Sequence, residues 1–314
     1  MPVIRFLLVW LSLLACSPGK RSPVAEGTHR VSIHGAGLVY HVHGHGPVML
    51  AIAGGPGSSW NYLRMTGVEQ YATIVYVELV GTGDSARLAD PKQYSRERDV
   101  SDVEGFRAYL GIDKVIVLGH SYGGNVALEY ALAHPEHLAG LVLYDTSPVM
   151  NEEWGADVEK NMATYEKEPW FADAHEAWKL LDGQHDDATL KALFLRISRF
   201  YVHAYSAQQA RWEKFFADAR LDSDRNERGT VTPFDVRPLL SSIRAPTLVL
   251  VGAHDFICGP KFASMSHDGI SGSQLVRFEN SGHLAHVEEP ARFVAALAAF
   301  IQSRDQPRRD HHAQ

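Results

Sequence analysis

VLGHSYGGNVA, residues 117–127, sets a serine between two glycines at the junction of two different patterns. Before Ser121 runs KVIVLGH (114–120), a near-continuous apolar run of the kind that forms a strand buried on both faces. After it runs YGGNVALEYALAH (122–134), with helical spacing. A serine at so sharp a strand-to-helix turn must take strained backbone angles. Small residues two before and two after it, Gly119 and Gly123, relieve the crowding. The turn lifts the Ser121 hydroxyl above the carboxyl edge of the sheet. It also sets the amide of Tyr122 at a helix N-terminus, where it can hold an oxyanion.

A serine nucleophile needs a base, and the base needs an acid to orient it. PTLVLVGAHDFICGP (246–260) sets Asp255 just past a second buried run, and VRFENSGHLAHVEEP (276–290) sets His283 just past a third, before a helix. All three side chains therefore fall on the edge where open α/β sheets carry their sites. His286 competes with His283 but falls inside the start of the helix, so His283 is preferred. His120 and His254 read as neighbours of the site that pack against it or support its residues. The second oxyanion donor should come from AIAGGPGSSWNY (51–62), where Gly54 and Gly55 allow close backbone approach; the Gly55 amide is assigned beside that of Tyr122.

Working outward, RVSIHGAGLVYHVHG (30–44) reads as a hairpin turning near Gly35 and Gly37. Strand-like runs at 48–54, 73–79, 114–120, 138–145, 246–252 and 274–280 alternate with helical segments that include 98–111, 122–134 and 289–302. Such alternation implies an α/β fold, a mostly parallel sheet with helices on both faces. Residues 148–237 hold no convincing strand and many aromatics. They read as a helical cap inserted after the sixth strand, dividing a core at 29–147 and 238–302. His41, His43 and His45 share one strand face. Three imidazoles there have metal-ligand chemistry, but a polar, exposed hairpin face is the preferred reading, and no metal site is assigned.

The chain has 314 residues and a net charge of −7, which argues against nucleic-acid binding by phosphate neutralisation. Residues 303–314 read as a frayed, solvated tail. At the other end, Arg5 precedes an apolar run from Phe6 to Ala15, short for a membrane span and suited to a signal-peptide core. It ends in Leu13-Leu14-Ala15-Cys16, which resembles a bacterial lipoprotein signal (1–16). The resemblance implies lipidation of Cys16, a membrane anchor and an exported, cell-envelope location. A plain secretory signal and an uncleaved anchor remain the alternatives. Residues 17–28 read as a flexible tether. With Cys16 lipidated, Cys258 has no disulfide partner.

GGPGSS (54–59), VGTGDS (80–85), GHSYGG (119–124), GAHDFI (252–257) and SGHLAHVEEP (281–290) stand in the order and spacing of the α/β-hydrolase superfamily. More narrowly they resemble its proline iminopeptidase branch. That resemblance implies a serine peptidase releasing N-terminal residues from short peptides, with no metal or cofactor. It also implies cap carboxylates that hold the substrate ammonium; Asn226-Glu227 resembles such a position, and Glu213 is a candidate by place alone. Trp60 is assigned to substrate binding. Two motifs depart from the branch: Ala53 replaces the usual His, and Glu78-Leu79-Val80-Gly81 replaces Asp-Gln-Arg-Gly, so an expected charge pair is missing. The rival activities are a carboxylesterase or another small-molecule hydrolase of ester, amide or C–C bonds. The rival class is a catalytically idle binding lipoprotein.

Overall fold

The computed structural model describes residues 22–181, 183, 185–226 and 234–305. The signal segment with Cys16, and Glu227, lie outside the described residues. Strands β1 (Gly27–Ile33) and β2 (Ala36–Gly44) form the expected hairpin, its turn made by His34 and Gly35, both at positive φ. Then follow β3 (Val48–Ile52), β4 (Thr73–Glu78), helix α1 (Arg96–Tyr109), β5 (Val115–His120), α2 (Tyr122–Ala133) and β6 (Leu138–Tyr144). The cap follows, opening on β7 (Val149–Met150), with α3 (Glu152–Ala163), α4 (Phe171–Leu180), α5 (Asp187–Ile197), α6 (Gln209–Ala217) and α7 (Ser223–Asn226), and closing on β8 (Phe234–Asp235). The core resumes with β9 (Thr247–Gly252), α8 (Pro260–Gly269), β10 (Gln274–Phe278), α9 (Ala285–Glu288) and α10 (Pro290–Asp305).

The main sheet has eight strands in the order β1-β2-β4-β3-β5-β6-β9-β10. Every pair from β4 to β10 is parallel; β2 runs against both neighbours. The apolar runs expected to be buried on both faces are so: β4, β5 and β9 are buried at every position. One side of the sheet packs on α1 and α2, the other on α10. The chain order reverses between β3 and β5. The crevice at that switch point, beyond the strands' carboxyl ends, lies between the Gly54-Gly55 loop and Ser121.

Several boundaries differ from the sequence reading, each for a local reason. Helix α1 starts two residues earlier than expected because Ser95 Oγ accepts the Arg98 N–H (3.2 Å), and it stops before Gly111, which has a φ of 70°. The first strand takes in the last two tether residues, and Thr28 Oγ1 meets His41 Nδ1 at 2.9 Å. Helix α10 runs on to Asp305, beyond the expected start of the tail. The cap holds a strand pair that its sequence did not announce: β7 and β8 pair antiparallel and clasp its base.

The cap aromatics form a core of their own, in which Trp170, Phe200, Trp212 and Phe216 pack with Phe256 and Leu284 of the hydrolytic core. At its exit, the cap is sewn to the Gly-Pro-Gly loop. Ser58 bridges Leu221, the Ser59 N–H donates to Arg220 O (3.1 Å), and the Asp222 N–H donates to Gly57 O (3.0 Å). Beneath this seam Arg225 is fully buried and donates to Asp99 Oδ1 (3.1 Å), Asp99 Oδ2 (2.5 Å) and Val80 O (2.5 Å).

Candidate active site

Ser121 sits between β5 and α2 with φ 55° and ψ −122°, the strained turn its setting demanded. Its N–H donates to Tyr144 O (3.0 Å), and its carbonyl accepts from the Gly124 N–H (2.8 Å) and Thr146 Oγ1 (2.8 Å). The flanking glycines are a steric requirement. A Cβ on Gly119 would lie 2.1 Å from Gly123 O, and one on Gly123 would lie 2.4 Å from Ile52 O.

His283 is buried, and its Nδ1 donates to Asp255 Oδ2 at 2.9 Å. Asp255 is fixed by its other oxygen, which accepts the N–H groups of Ile257 (2.9 Å) and Cys258 (3.1 Å). With Nδ1 as the donor, Nε2 of a neutral His283 is left as the acceptor. The rival His286 is engaged elsewhere: Nε2 donates to Tyr62 O (2.8 Å), Nδ1 accepts from Tyr144 O–H (2.8 Å), and burial pushes its pKa down to about 4. Ser121 and His283 line one cavity of about 550 Å³ with Gly54, Gly55 and Tyr62. The Gly54 N–H is taken by Tyr62 Oη (2.6 Å), so of the two glycine amides Gly55's is the one that suits the oxyanion role. Tyr122 is the first residue of α2, where an N–H has no acceptor one turn earlier.

A family model described as alpha/beta hydrolase fold matches residues 47–290. The chain belongs to the α/β-hydrolase fold family. A proline iminopeptidase of Saccharolobus solfataricus is 29% identical to it over 300 residues, covering 88% of this chain and 92% of that protein. Proline iminopeptidase PfmaB of Pestalotiopsis fici is 29% identical over 287 residues, covering 87% and 98%. Among solved structures, an alpha/beta fold family hydrolase from Bacillus anthracis superposes with a TM-score of 0.71 at 22% identity, covering 88% of this chain and 98% of that one. The protein is a hydrolase.

In this α/β hydrolase a buried chain of hydrogen bonds ties three loops of the site together through His120, whose supporting role the sequence suggested without its partners. His120 Nε2 meets the His283 carbonyl at 2.9 Å, and Nδ1 meets Tyr62 Oη at 2.7 Å. Burial holds the His120 pKa well below its ordinary value, so the ring is neutral. A carbonyl only accepts; hence Nε2 carries the proton, Nδ1 accepts from Tyr62 O–H, and Tyr62 Oη accepts the Gly54 N–H. The chain fixes the Gly54-Gly55 loop against the base loop. Tyr62→Phe breaks it at its centre and strands two buried polar groups. The expected result is a fall in kcat of about 10-fold with KM nearly unchanged, because the donor loop shifts while substrate contacts stay. Steady-state kinetics on any accepted substrate reads this out; an unchanged kcat would show the loop holds its place without Tyr62.

Other sequence assignments of the α/β hydrolase need correction. Trp60 does not line the cavity. Its indole stacks on His41 (ring centroids 4.2 Å) and packs against Tyr76 (5.1 Å), because the short 3₁₀ turn Trp60–Leu63 points residue 60 at the sheet and residue 62 at the cavity. That stacking also corrects the exposed-face reading of the histidines: His41 is buried, His43 is partly covered, and only His45 is exposed. Glu213 is exposed on α6, accepts from Gln209 Nε2 (2.8 Å) and does not line the cavity. Its neighbours Arg211, Lys214 and Phe215 do. In the departed motif, Glu78 accepts the Asp84 N–H (2.6 Å), and the carbonyl of Val80 accepts from Arg225, a buried cation that arrives from the cap.

Proposed function

We propose that this α/β hydrolase works by acyl transfer with Ser121 as nucleophile, His283 as base and Asp255 as the acid that orients it. The observation that carries this reading is the His283–Asp255 hydrogen bond in the cavity that Ser121 lines. His283 Nε2 takes the Ser121 proton as the oxygen attacks a carbonyl carbon. The amides of Gly55 and Tyr122 receive the oxyanion, and Asp255 stabilises the imidazolium. His283 then gives its proton to the leaving group. In the second half it takes a proton from the water that attacks the acyl-enzyme, and it returns that proton to Ser121 Oγ as the acyl–oxygen bond breaks.

We read the acyl group as the N-terminal residue of a short peptide, proline foremost. The Gly54-Gly55-Pro56-Gly57 loop and the two relatives named proline iminopeptidase support this. The charges favour a second reading, hydrolysis of a small ester. The described lining residues include three cations, Arg211, Lys214 and Arg220 (the last paired with Asp84), and one carboxylate, Asp218, whereas an ammonium group needs carboxylates around it. We also retain the envelope location through Cys16, supported by the apolar run that precedes it.

Hydrolysis of proline β-naphthylamide, its N-acetyl derivative, alanine β-naphthylamide and p-nitrophenyl acetate separates the two. Release from the proline amide that vanishes on acetylation establishes the aminopeptidase. Cleavage of the ester alone removes it.

A further inference from the structure

The cavity that Ser121 lines from the core is lined from the cap by one face of α6. Arg211, Lys214, Phe215 and Asp218 succeed one another at helical spacing, so they share that face, and all four line the cavity. Arg211 is held by neutral partners. Its Nη1 donates to Gln208 Oε1 (2.6 Å), its Nη2 donates to Val287 O (2.8 Å), and its guanidinium lies over the Trp212 ring, 4.4 Å from the centroid. Glu288 is near enough to feel that charge but accepts the N–H groups of His203 (2.6 Å) and Gly282 (2.8 Å) instead. Among the described residues Lys214 has no hydrogen bond or ion pair, and Asp218 is paired with neither cation. Arg220, also in the lining, is already engaged: it donates to Asp84 Oδ1 (2.8 Å) and to Gly83 O.

We propose that Arg211 and Lys214 form a carboxylate-binding pair, and that this hydrolase prefers substrates whose leaving portion ends in a free carboxylate. Two cations against the one carboxylate of Asp218 leave that wall positive, and a cleft of one sign draws a ligand of the other. Arg211 has its guanidinium oriented in advance and keeps its remaining N–H groups for a ligand. A carboxylate fits that planar fork, and the Lys214 ammonium adds a point charge beside it. Placement decides which end of the substrate is read. The reacting carbonyl must lie at Ser121, on the core, whereas the cations stand on the cap, so carbonyl and acid belong to opposite ends of the molecule. Phe194, Ile197 and Phe216 also line the cavity and suit an apolar body. A volume of about 550 Å³ is the size for one small ligand. A short peptide has this layout, with attack at the carbonyl of its first residue and a free carboxylate at its C-terminus. An ester whose alcohol carries an acid has it too.

This inference rests on the serine-hydrolase reading. The test uses two substrate pairs that differ only in charge at the far end: Pro-Phe against Pro-Phe-amide, and 4-acetoxyphenylacetate against 4-acetoxyphenylacetamide. The readout is the ratio of kcat/KM, acid over amide, at neutral pH and low salt. In a cleaved pair the acid is favoured about 10-fold, the scale of two partly exposed ion pairs, and the preference shrinks in high salt. Arg211→Gln/Lys214→Gln brings the ratio to about 1. Lys179→Gln, which removes an exposed cap cation outside the cavity lining, leaves it at the wild-type value. Equal kcat/KM within every cleaved wild-type pair overturns the proposal, and so does a preference that survives the double variant. If the double variant does not fold, an unchanged ratio in Lys214→Gln overturns it. Preference in the peptide pair assigns the carboxylate to a peptide C-terminus. Preference in the ester pair with both peptides uncleaved keeps the site and removes the aminopeptidase. Where neither pair is turned over, protection of Ser121 from a fluorophosphonate takes the place of turnover; 3-phenylpropanoate protecting no better than 3-phenylpropanamide overturns the proposal. Wild-type protein that fails to label sinks the serine mechanism and this inference with it; labelled wild type with equal pairs sinks the carboxylate site alone.

Discussion

Replacing Ser121 by alanine lowers kcat for every accepted substrate by on the order of 10⁴- to 10⁶-fold. The size follows from what the hydroxyl does. Without it no acyl-enzyme forms, and His283, Asp255 and the two amides are left to promote direct attack by water. The two amides proposed to bind the oxyanion remain, so a trace of turnover survives. The fold is unaffected in this account. The backbone of residue 121 keeps its bonds to Tyr144, Gly124 and Thr146, and alanine carries the same Cβ through the strained turn. The measurement is steady-state turnover beside thermal unfolding. A variant that turns over at the wild-type rate with an unchanged melting temperature would remove Ser121 from the chemistry.

The second large effect is on stability. Asp99→Ala should cost about 3–5 kcal/mol, read as a lowered urea midpoint, because it removes the carboxylate that a buried guanidinium donates to through two nitrogens. Asp99 accepts from Arg225 through both oxygens and from Tyr122 O–H (2.7 Å), and all three residues are buried. The guanidinium cannot shed its proton and is buried. Exchanging both partners for apolar residues, as in Asp99→Leu/Arg225→Met, should recover much of the loss. Activity should fall along with stability in the single variant. In the proposed mechanism the backbone of Tyr122 supplies an oxyanion amide, and its side chain is anchored to Asp99. A double variant no more stable than Asp99→Ala would mean the pair is held in place by packing and not by charge.

How much of this was readable differs from place to place. Ser121, Asp255 and His283 could be found because each follows an apolar run at a strand's carboxyl end, and the sheet itself aligns such ends. The same cue marks Asp145, which closes LVLYD after β6, so position at a strand end alone does not single out the three. Trp60 and Tyr62 are two residues apart on one short turn, and composition cannot tell which faces the cavity. Asp99 and Arg225 lie in charge-rich segments, RERDVSDVE and DSDRN, where exposure is the ordinary expectation; their burial depends on a contact between residues 126 apart. The cap core was legible in its aromatics, whereas the strand pair at its base, two residues on each side, was too short to leave a pattern.

The seam between residues 57–59 and 220–222 joins the loop that bears Gly55 to the exit of the cap, and the Tyr62–His120–His283 chain joins the same loop to the core. The loop is thus braced from two sides, and a change in the cap exit or in the core is felt at the same backbone.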